Sequence, residues 1–245
     1  MKTVVAIIQA RMGSTRLPGK VLLPLVGRPT LLHVVERTRW ASSLSSIIVA
    51  TSDLPRDEPI RKLCAEEGIR YFAGDEQDVL DRYYQASLGT DADAIVRITA
   101  DCPLVEPTVI DSVVNLWESQ SLDYAASAAG GHANLTAAGA FPEGLSVECF
   151  SASALERAWR ESTDAFDREH VTPYIWNTGR FNMDIFPFAS DRGELRLTVD
   201  TASDYALVAE IYEALYRKDR PFTLSETIRY LDQKSSNCEQ PGYRA

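Results

Sequence analysis

Apolar residues in this chain come as short unbroken runs, and between those runs lie segments whose apolar positions recur at helical spacing. The run Val4–Ile8 is β-rich and predicts a buried strand. From Thr30, with Pro29 just ahead of it, the apolar positions Leu31, Leu32, Val34 and Val35 predict a first crossover helix. The alternation then repeats: a strand over 45–53, a helix over 57–68 stopped by Gly68, a strand over 69–74, a helix over 77–89, a strand over 93–101, and a helix beginning near Pro107. These strands are apolar almost throughout, so both of their faces must be covered. Strict strand–helix alternation with such strands predicts an α/β fold built on a Rossmann-like, doubly wound, mostly parallel sheet.

From about residue 120 the rhythm changes. DYAASAAGGHANLTAAGAFPEG is rich in Ala and Gly with little periodicity, which predicts a short strand followed by a mobile loop near the site. SVECFS (146–151) returns to alternation; Ser151 should cap a helix through Arg160, and Asp167 or Arg168 should open another running to Asn177. FNMDIF (181–186) and ELRLTVD (194–200) read as strands. TASDYALVAEIYEALYRK reads as an amphipathic helix with Thr201 and Asp204 at capping-box spacing, and a last helix covers 224–234. The expectation is one domain over 1–234, with an elaboration over about 120–190 and a flexible tail over 235–245. There is no internal repeat.

Net charge is −10, which disfavours nucleic acid as a partner. The distribution says more. Met1 to Val35 holds Lys2, Arg11, Arg16, Lys20 and Arg28 and no carboxylate, so this segment is +5 and the rest of the chain −15. A local positive site on an acidic protein suits a small anionic ligand. No run approaches a membrane span and the N-terminus lacks signal-peptide features, so a cytoplasmic protein is expected. Cys64, Cys102, Cys149 and Cys238 are scattered, without metal-ligand spacing, which fits a reducing compartment.

In doubly wound sheets, ligands sit beyond the carboxyl ends of the strands, so the residues just after each run matter most. The first strand breaks into a loop with Arg11, Gly13, Ser14, Arg16, Pro18, Gly19 and Lys20. Glycines and a small serine let backbone N–H groups approach an oxyanion, while guanidinium and ammonium groups supply charge for phosphate oxygens. The loop is neither GxxxxGK[ST] nor GxGxxG. The second strand ends in Thr51, Ser52 and Asp53, the third in Gly74 and Asp75, and the fourth in Thr99 and Asp101.

The motif IIQARMGSTRLPGK, with Arg11 nine residues before Lys20, resembles the signature of cytidylyltransferases that activate sugar acids as CMP derivatives. The likeness is greatest to the spore coat polysaccharide biosynthesis protein F type, and more distant to the acylneuraminate and 3-deoxy-manno-octulosonate enzymes. It extends over most of 3–210, with DCPL, EHVTPY and VDT as further specific stretches. The resemblance implies a fold of the nucleotide-diphospho-sugar transferase type, CTP and a small anionic acceptor as substrates, Mg²⁺ as cofactor, and a homodimer. It implies that Ala10, Arg11, Met12, Gly13, Ser14, Arg16 and Lys20 hold the triphosphate, and it places Ser52, Asp53, Arg82 and Thr99 near the nucleotide. The chain departs from the 3-deoxy-manno-octulosonate enzymes at Thr99, where they carry Gln, and at Arg97, where they carry a smaller polar residue.

Each candidate also has a plainer reading. Asp101, in RITADCPLVEP, is either a turn residue or a Mg²⁺ ligand, and the cap of the following helix should fall at Glu106. Asp200 is either an N-cap or the second ligand, with Thr201 and Ser203 able to share the capping. Arg82 is either a solvated helix residue or a nucleotide contact. His170 and Tyr174, four apart on one helical face with Arg168 close by, either line a core or bind the acceptor, as the resemblance suggests. Glu148 should point to solvent or into the cleft. His33 and His132 have no evident partner, and His33 reads as a residue of the first helix.

The constellation suggests transfer of CMP from CTP to an anionic acceptor, with Arg11, Lys20, Asp101 and Asp200 carrying the chemistry. A nucleotide-sugar-dependent glycosyltransferase would favour a DxD motif, for which DAD at 91–93 is the candidate, and it precedes a strand. A non-catalytic nucleotide-binding protein should have lost one of those four residues, and all four are present.

Overall fold

In the computed structural model, described over residues 2–127, 142–186 and 195–238, the strand Val4–Gln9 (β1) is the centre of a seven-stranded sheet. It pairs in parallel with Ser46–Ser52 (β4) on one side and Ala94–Thr99 (β6) on the other, and β4 pairs in parallel with Tyr71–Gly74 (β5). Beyond β6 comes Glu148–Ser151 (β8), antiparallel to its neighbours, then Tyr124–Ala126 (β7), and Met183–Ile185 (β9), parallel to β7. The order is β5-β4-β1-β6-β8-β7-β9. Two further strands, Pro24–Leu25 (β2) and Arg28–Pro29 (β3), make a small hairpin outside this sheet. The chain leaves β1 toward β4 on one side and reaches β6 on the other, so the strand order reverses beside β1. That is where an open α/β sheet leaves a crevice at its carboxyl edge.

Successive residues of a strand face opposite ways, and β1 shows both faces covered. Val4, Ala6 and Ile8 pack with helices Thr30–Arg39 (α1), Glu58–Glu66 (α2) and Pro107–Ser119 (α4), whereas Val5 and Ile7 pack with Val79–Ser87 (α3), Ala152–Glu161 (α5) and Pro173–Asn177 (α7). A third cluster joins Leu25, Leu104, Leu197 and Val199 to Ala202–Leu215 (α8) and Leu224–Cys238 (α9). This third cluster sits where the chain leaves the sheet, and it fixes the segment that carries Asp200.

Three expected elements differ. The helix expected to open at Asp167 or Arg168 and run to Asn177 is two short helices, Ala165–His170 (α6), capped by Asp164, and α7, separated by Val171 at φ 73°. Pro173 explains the break, because it lacks the N–H a continuing helix needs and its ring would crowd the carbonyl four residues earlier. The strand expected over 194–200 is absent over its described part. Leu197 and Val199 donate to two different places, the carbonyls of Glu143 and Asp101, so no single ladder forms. The last helix runs four residues past the expected 234, with Ser235 and Ser236 hydroxyls bonded to the carbonyls of Leu231 and Asp232. Most of the loop expected near the site, with His132, and the end of the tail lie outside the described residues.

Candidate active site

The loop after β1 is closed by its own backbone. Met12 carbonyl accepts from Ser14 and Gly19 N–H at 2.9 and 3.1 Å, and Met12 N–H donates to Asp57 at 2.7 Å. Gly19 lies at φ 71°, a left-handed conformation that suits glycine, and it turns the chain directly into Lys20. Lys20 is thereby buried with its ammonium 2.6 Å from Asp101 Oδ2 and 2.7 Å from Asp200 Oδ1. Burial alone would lower the Lys20 pKa, but the two carboxylates outweigh it and raise it above the ordinary lysine value. Burial likewise opposes ionisation of Asp101, and the Lys20 ammonium reverses this, holding the carboxyl below its usual range.

Both aspartates are free of the capping work that could have explained them. The cap position of α4 is Glu106, five residues after Asp101. At α8 the N-cap is Thr201, which with Asp204 forms the full capping box, so Asp200 stands just outside the helix with its side chain turned to the basic residues. Its place is set by backbone: Val199 N–H donates to Asp101 carbonyl at 2.8 Å, drawing the two aspartates together. Gly144, at φ 97°, allows this tract to lie close, since a Cβ there would come 2.5 Å from Thr198 nitrogen. Arg16 and Arg196 also reach Asp200, at 3.1 and 2.7 Å.

Arg16, Lys20, Asp101 and Asp200 line one cleft of about 280 Å³ at the carboxyl ends of β1 and β6, together with Arg11, Gly13, Ser14, Arg82, Thr99 and His170. Ala10 lines it too, while Met12 turns its side chain to the core. The Ser14 N–H is already used inside the loop, which leaves Gly13 as the open donor of that pair among the described residues. Arg82, only 2% exposed, donates to the carbonyl of Asp75 at 2.8 Å and leaves Nε without a partner. Burial and the neighbouring Arg11 cation pull its guanidinium below the ordinary arginine value. A buried, unneutralised guanidinium on a cleft wall is suited to a ligand oxygen.

Other candidates are placed elsewhere. Ser52 is buried and donates to Asp57, which in turn holds Met12, so it supports the loop from behind; Asp53 is exposed and away from the cleft, its N–H bonded to Gly74 carbonyl at 2.9 Å. Arg168 is absorbed by Asp78 and by the carbonyls of Trp159 and Ser162, which leaves none of its fork for an acceptor. Tyr174 points to Glu161 and Arg180, because the break at Val171 separates it from His170's helical face. Glu148 faces neither solvent nor the cleft: it is buried, paired with Arg97 directly across the strand pair and bonded by Tyr124 and Thr172. Asp93 of the DAD stretch accepts from Thr3 N–H at 2.7 Å, at the opposite end of β6 from the cleft. His33 is a buried α1 residue bonded to Leu25 carbonyl.

Three further residues join the site. Arg97 and Glu169 line the cleft, and Arg196 pairs with Asp200. Arg97 had a signal in the sequence, a lone charge inside the apolar run DAIVRITAD. Cys102, beside Asp101, is buried with its thiol pushed well up, which makes it a poor nucleophile.

Two carboxylates meeting at one ammonium form a cation seat, and a small hard ion could touch both. No group of three or more His, Cys, Asp or Glu among the described residues is placed to hold a metal, so substrate and water oxygens would complete such a shell.

Comparison with known proteins bears on this arrangement. The chain is 38% identical over 252 residues to an uncharacterized protein of Methanocaldococcus jannaschii, covering 98% of each chain. It is 35% identical to the spore coat polysaccharide biosynthesis protein SpsF of Bacillus subtilis, covering 95% of each. A 3-deoxy-manno-octulosonate cytidylyltransferase of Trichlorobacter lovleyi is 40% identical over 111 residues, 45% of this chain and 43% of that one. The solved structure of a cytidylyltransferase from Leptospira borgpetersenii superposes with TM-score 0.86 over the whole of both chains at 29% identity. The sequence model of the cytidylyltransferase family matches residues 5–234, a span holding the basic loop, both aspartates and the elements that bring them together, and the chain therefore belongs to that family of nucleotidyltransferases.

Proposed function

We propose that this protein transfers CMP from CTP to an anionic sugar acid or related acceptor, releasing pyrophosphate, in the assembly of a surface polysaccharide or glycoconjugate. The observation that carries the reading is the meeting of Lys20, Asp101 and Asp200 in one cleft with Arg11 and Arg16. The acceptor hydroxyl gives up its proton to solvent and attacks the α-phosphorus, the new O–P bond forms as the bond to the β-phosphate breaks, and the electron pair leaves with pyrophosphate. Arg11, Arg16 and Lys20 stabilise charge on that leaving group, with Gly13 N–H as a fixed donor. Arg82 meets the nucleotide from the wall formed by α3.

Asp101 and Asp200 are the residues that would hold Mg²⁺, since carboxylates suit a hard ion and both already face a cation. Bound there, the ion would supply charge neutralisation to a phosphate and lower the pKa of the attacking hydroxyl. The polysaccharide context is supported by the B. subtilis relative, and the sugar acid by the relative from T. lovleyi.

The test is to incubate the protein and Mg²⁺ with each nucleoside triphosphate, measuring melting temperature and, with a panel of sugar acids, pyrophosphate release. CTP at about a hundred times its dissociation constant should stabilise by about 2.7 kcal/mol, and at equal concentration ATP, GTP and UTP by less. Equal shifts for all four would defeat cytosine selection.

A further inference from the structure

Arg97 is a charged residue in the body of a central strand. Its directly opposed neighbour on β8 is Glu148, which binds one guanidinium nitrogen, Nη1. Glu148 is itself fixed, since its other oxygen accepts from Tyr124 and Thr172 hydroxyls at 2.6 and 2.7 Å. The guanidinium is therefore held in one orientation from the side away from the cleft. Its Nε is buried without an acceptor, the Tyr83 hydroxyl lies against the guanidinium, and the side chain keeps 19% exposure where it lines the cleft.

Stability is a weak explanation for this arrangement, because apolar residues of similar volume commonly serve as well as a buried ion pair. A ligand explains it better. Arg97 and Thr99 share a face of β6, and the strand leads on to Asp101, so whatever meets Arg97 lies on the same strand as the reacting centre. The triphosphate is provided for by the loop cations of the same cleft. We propose that Arg97 selects the acceptor by binding its carboxylate through the guanidinium edge that Glu148 leaves open, with Glu148 as a positioning residue. This rests on the cytidylyl-transfer reading.

Charge decides between a carboxylate and a phosphate here. Glu148 already neutralises Arg97, so the pair offers directed N–H groups with no surplus positive charge, and Glu169 adds a negative group to the same cleft. A monoanionic, planar carboxylate matches an arginine fork at this pair, whereas a dianionic phosphate is better compensated by Arg11 and Arg82 elsewhere in the cleft. His170 lines the same cleft and is the other side chain able to meet the acceptor there.

The test uses the full chain with CTP, Mg²⁺ and three acceptor sets: 2-keto sugar acids including nonulosonic acids and 3-deoxy-octulosonate, their carboxamides, and sugar phosphates. The wild type should turn over one or more acids and reject the matching carboxamide. Arg97→Gln should raise the acceptor KM by roughly tenfold to a hundredfold, the scale of losing a charged hydrogen bond, with KM for CTP and the CTP-induced melting shift unchanged. Arg97→Lys should recover only part, because it restores charge without the fork. Glu148→Gln should raise the acceptor KM while leaving kcat near wild type. Should Arg97→Gln not fold, Arg97→Gln/Glu148→Gln removes the unpaired carboxylate and carries the same expectation. Unchanged acceptor KM in Arg97→Gln, equal use of carboxamides, preference for sugar phosphates, or CTP binding with no acid turned over would each overturn the proposal while cytidylyl transfer stood. Absence of any CTP-induced shift would overturn that reading and this one with it.

Discussion

The sheet has two halves that differ in how they are built and in what their polar residues do. On the β5-β4-β1-β6 side the strands are parallel and four to seven residues long, with β1 buried on both faces and β5 a partly exposed edge. Polar residues there collect at the carboxyl ends, where the ladder stops and side chains or backbone N–H groups are left to face a ligand. On the β8-β7-β9 side the strands have three or four residues and one is reversed. Polar residues on that side mostly bind one another. A polar side chain at the end of a parallel strand is thus more informative about function than one placed by helical spacing, and the two halves should respond to mutation in opposite ways.

The largest expected effect is at Lys20. Lys20→Ala removes a preorganised cation from the leaving pyrophosphate and should lower kcat by roughly a hundredfold to a thousandfold, about 2.7–4 kcal/mol of transition-state stabilisation. The same change takes the Lys20 ammonium from Asp101, while Arg16 and Arg196 still reach Asp200. Single-turnover pyrophosphate release checks it, and turnover within a few-fold of wild type would remove Lys20 from the chemistry.

Asp200 and its neighbour Thr201 divide ligand from cap within two residues. Asp200→Asn should fold and lose most turnover, with partial recovery as Mg²⁺ is raised, since a neutral carbonyl replaces a carboxylate at a hard cation. Thr201→Ala breaks the capping box and should cost about 1 kcal/mol, or roughly 2–4 °C in a chain of this size, while keeping its metal dependence. A Mg²⁺ titration of both variants separates the roles; an unchanged metal dependence in Asp200→Asn would leave Asp101 as the only protein ligand.

What the sequence disclosed follows the same division. The parallel strands, the basic loop and Asp101 were legible because continuous apolar runs fix a strand and its end from local information alone. Asp200 was legible locally as a residue at a helix start, and as the partner of Asp101 only through the resemblance, because their approach depends on Val199 reaching across 98 positions to the Asp101 carbonyl. Arg168 and Tyr174 were misplaced for a different reason. Their spacing assumes one helix through Val171, and Pro173, visible in EHVTPY, already argued against it. Glu148 could not be placed without its cross-strand partner, which register alone supplies.

Arg168→Ala tests the second half directly. The side chain ties α6 to Asp78, the N-cap of α3, and to the end of α5, so its loss should destabilise the fold by about 1–3 kcal/mol. CTP binding and acceptor KM should be nearly unchanged once the protein is folded. A large rise in acceptor KM at unaltered melting temperature would return Arg168 to the acceptor site and erase the contrast between the halves.

Tyr174→Phe is the smallest change and the sharpest check on the broken helix. Its hydroxyl bonds Glu161 and receives a hydrogen bond from Arg180 at 3.0 Å, all at the surface, where exposed polar contacts contribute little. The ring stays packed near Phe181, and the substitution keeps it. Melting temperature, kcat and both KM values should therefore match wild type, even though the neighbouring His170→Ala, which alters the cleft wall, should change acceptor KM. Parallel effects in the two variants would mean that His170 and Tyr174 act on one ligand from one helical face, which the left-handed backbone at Val171 does not allow.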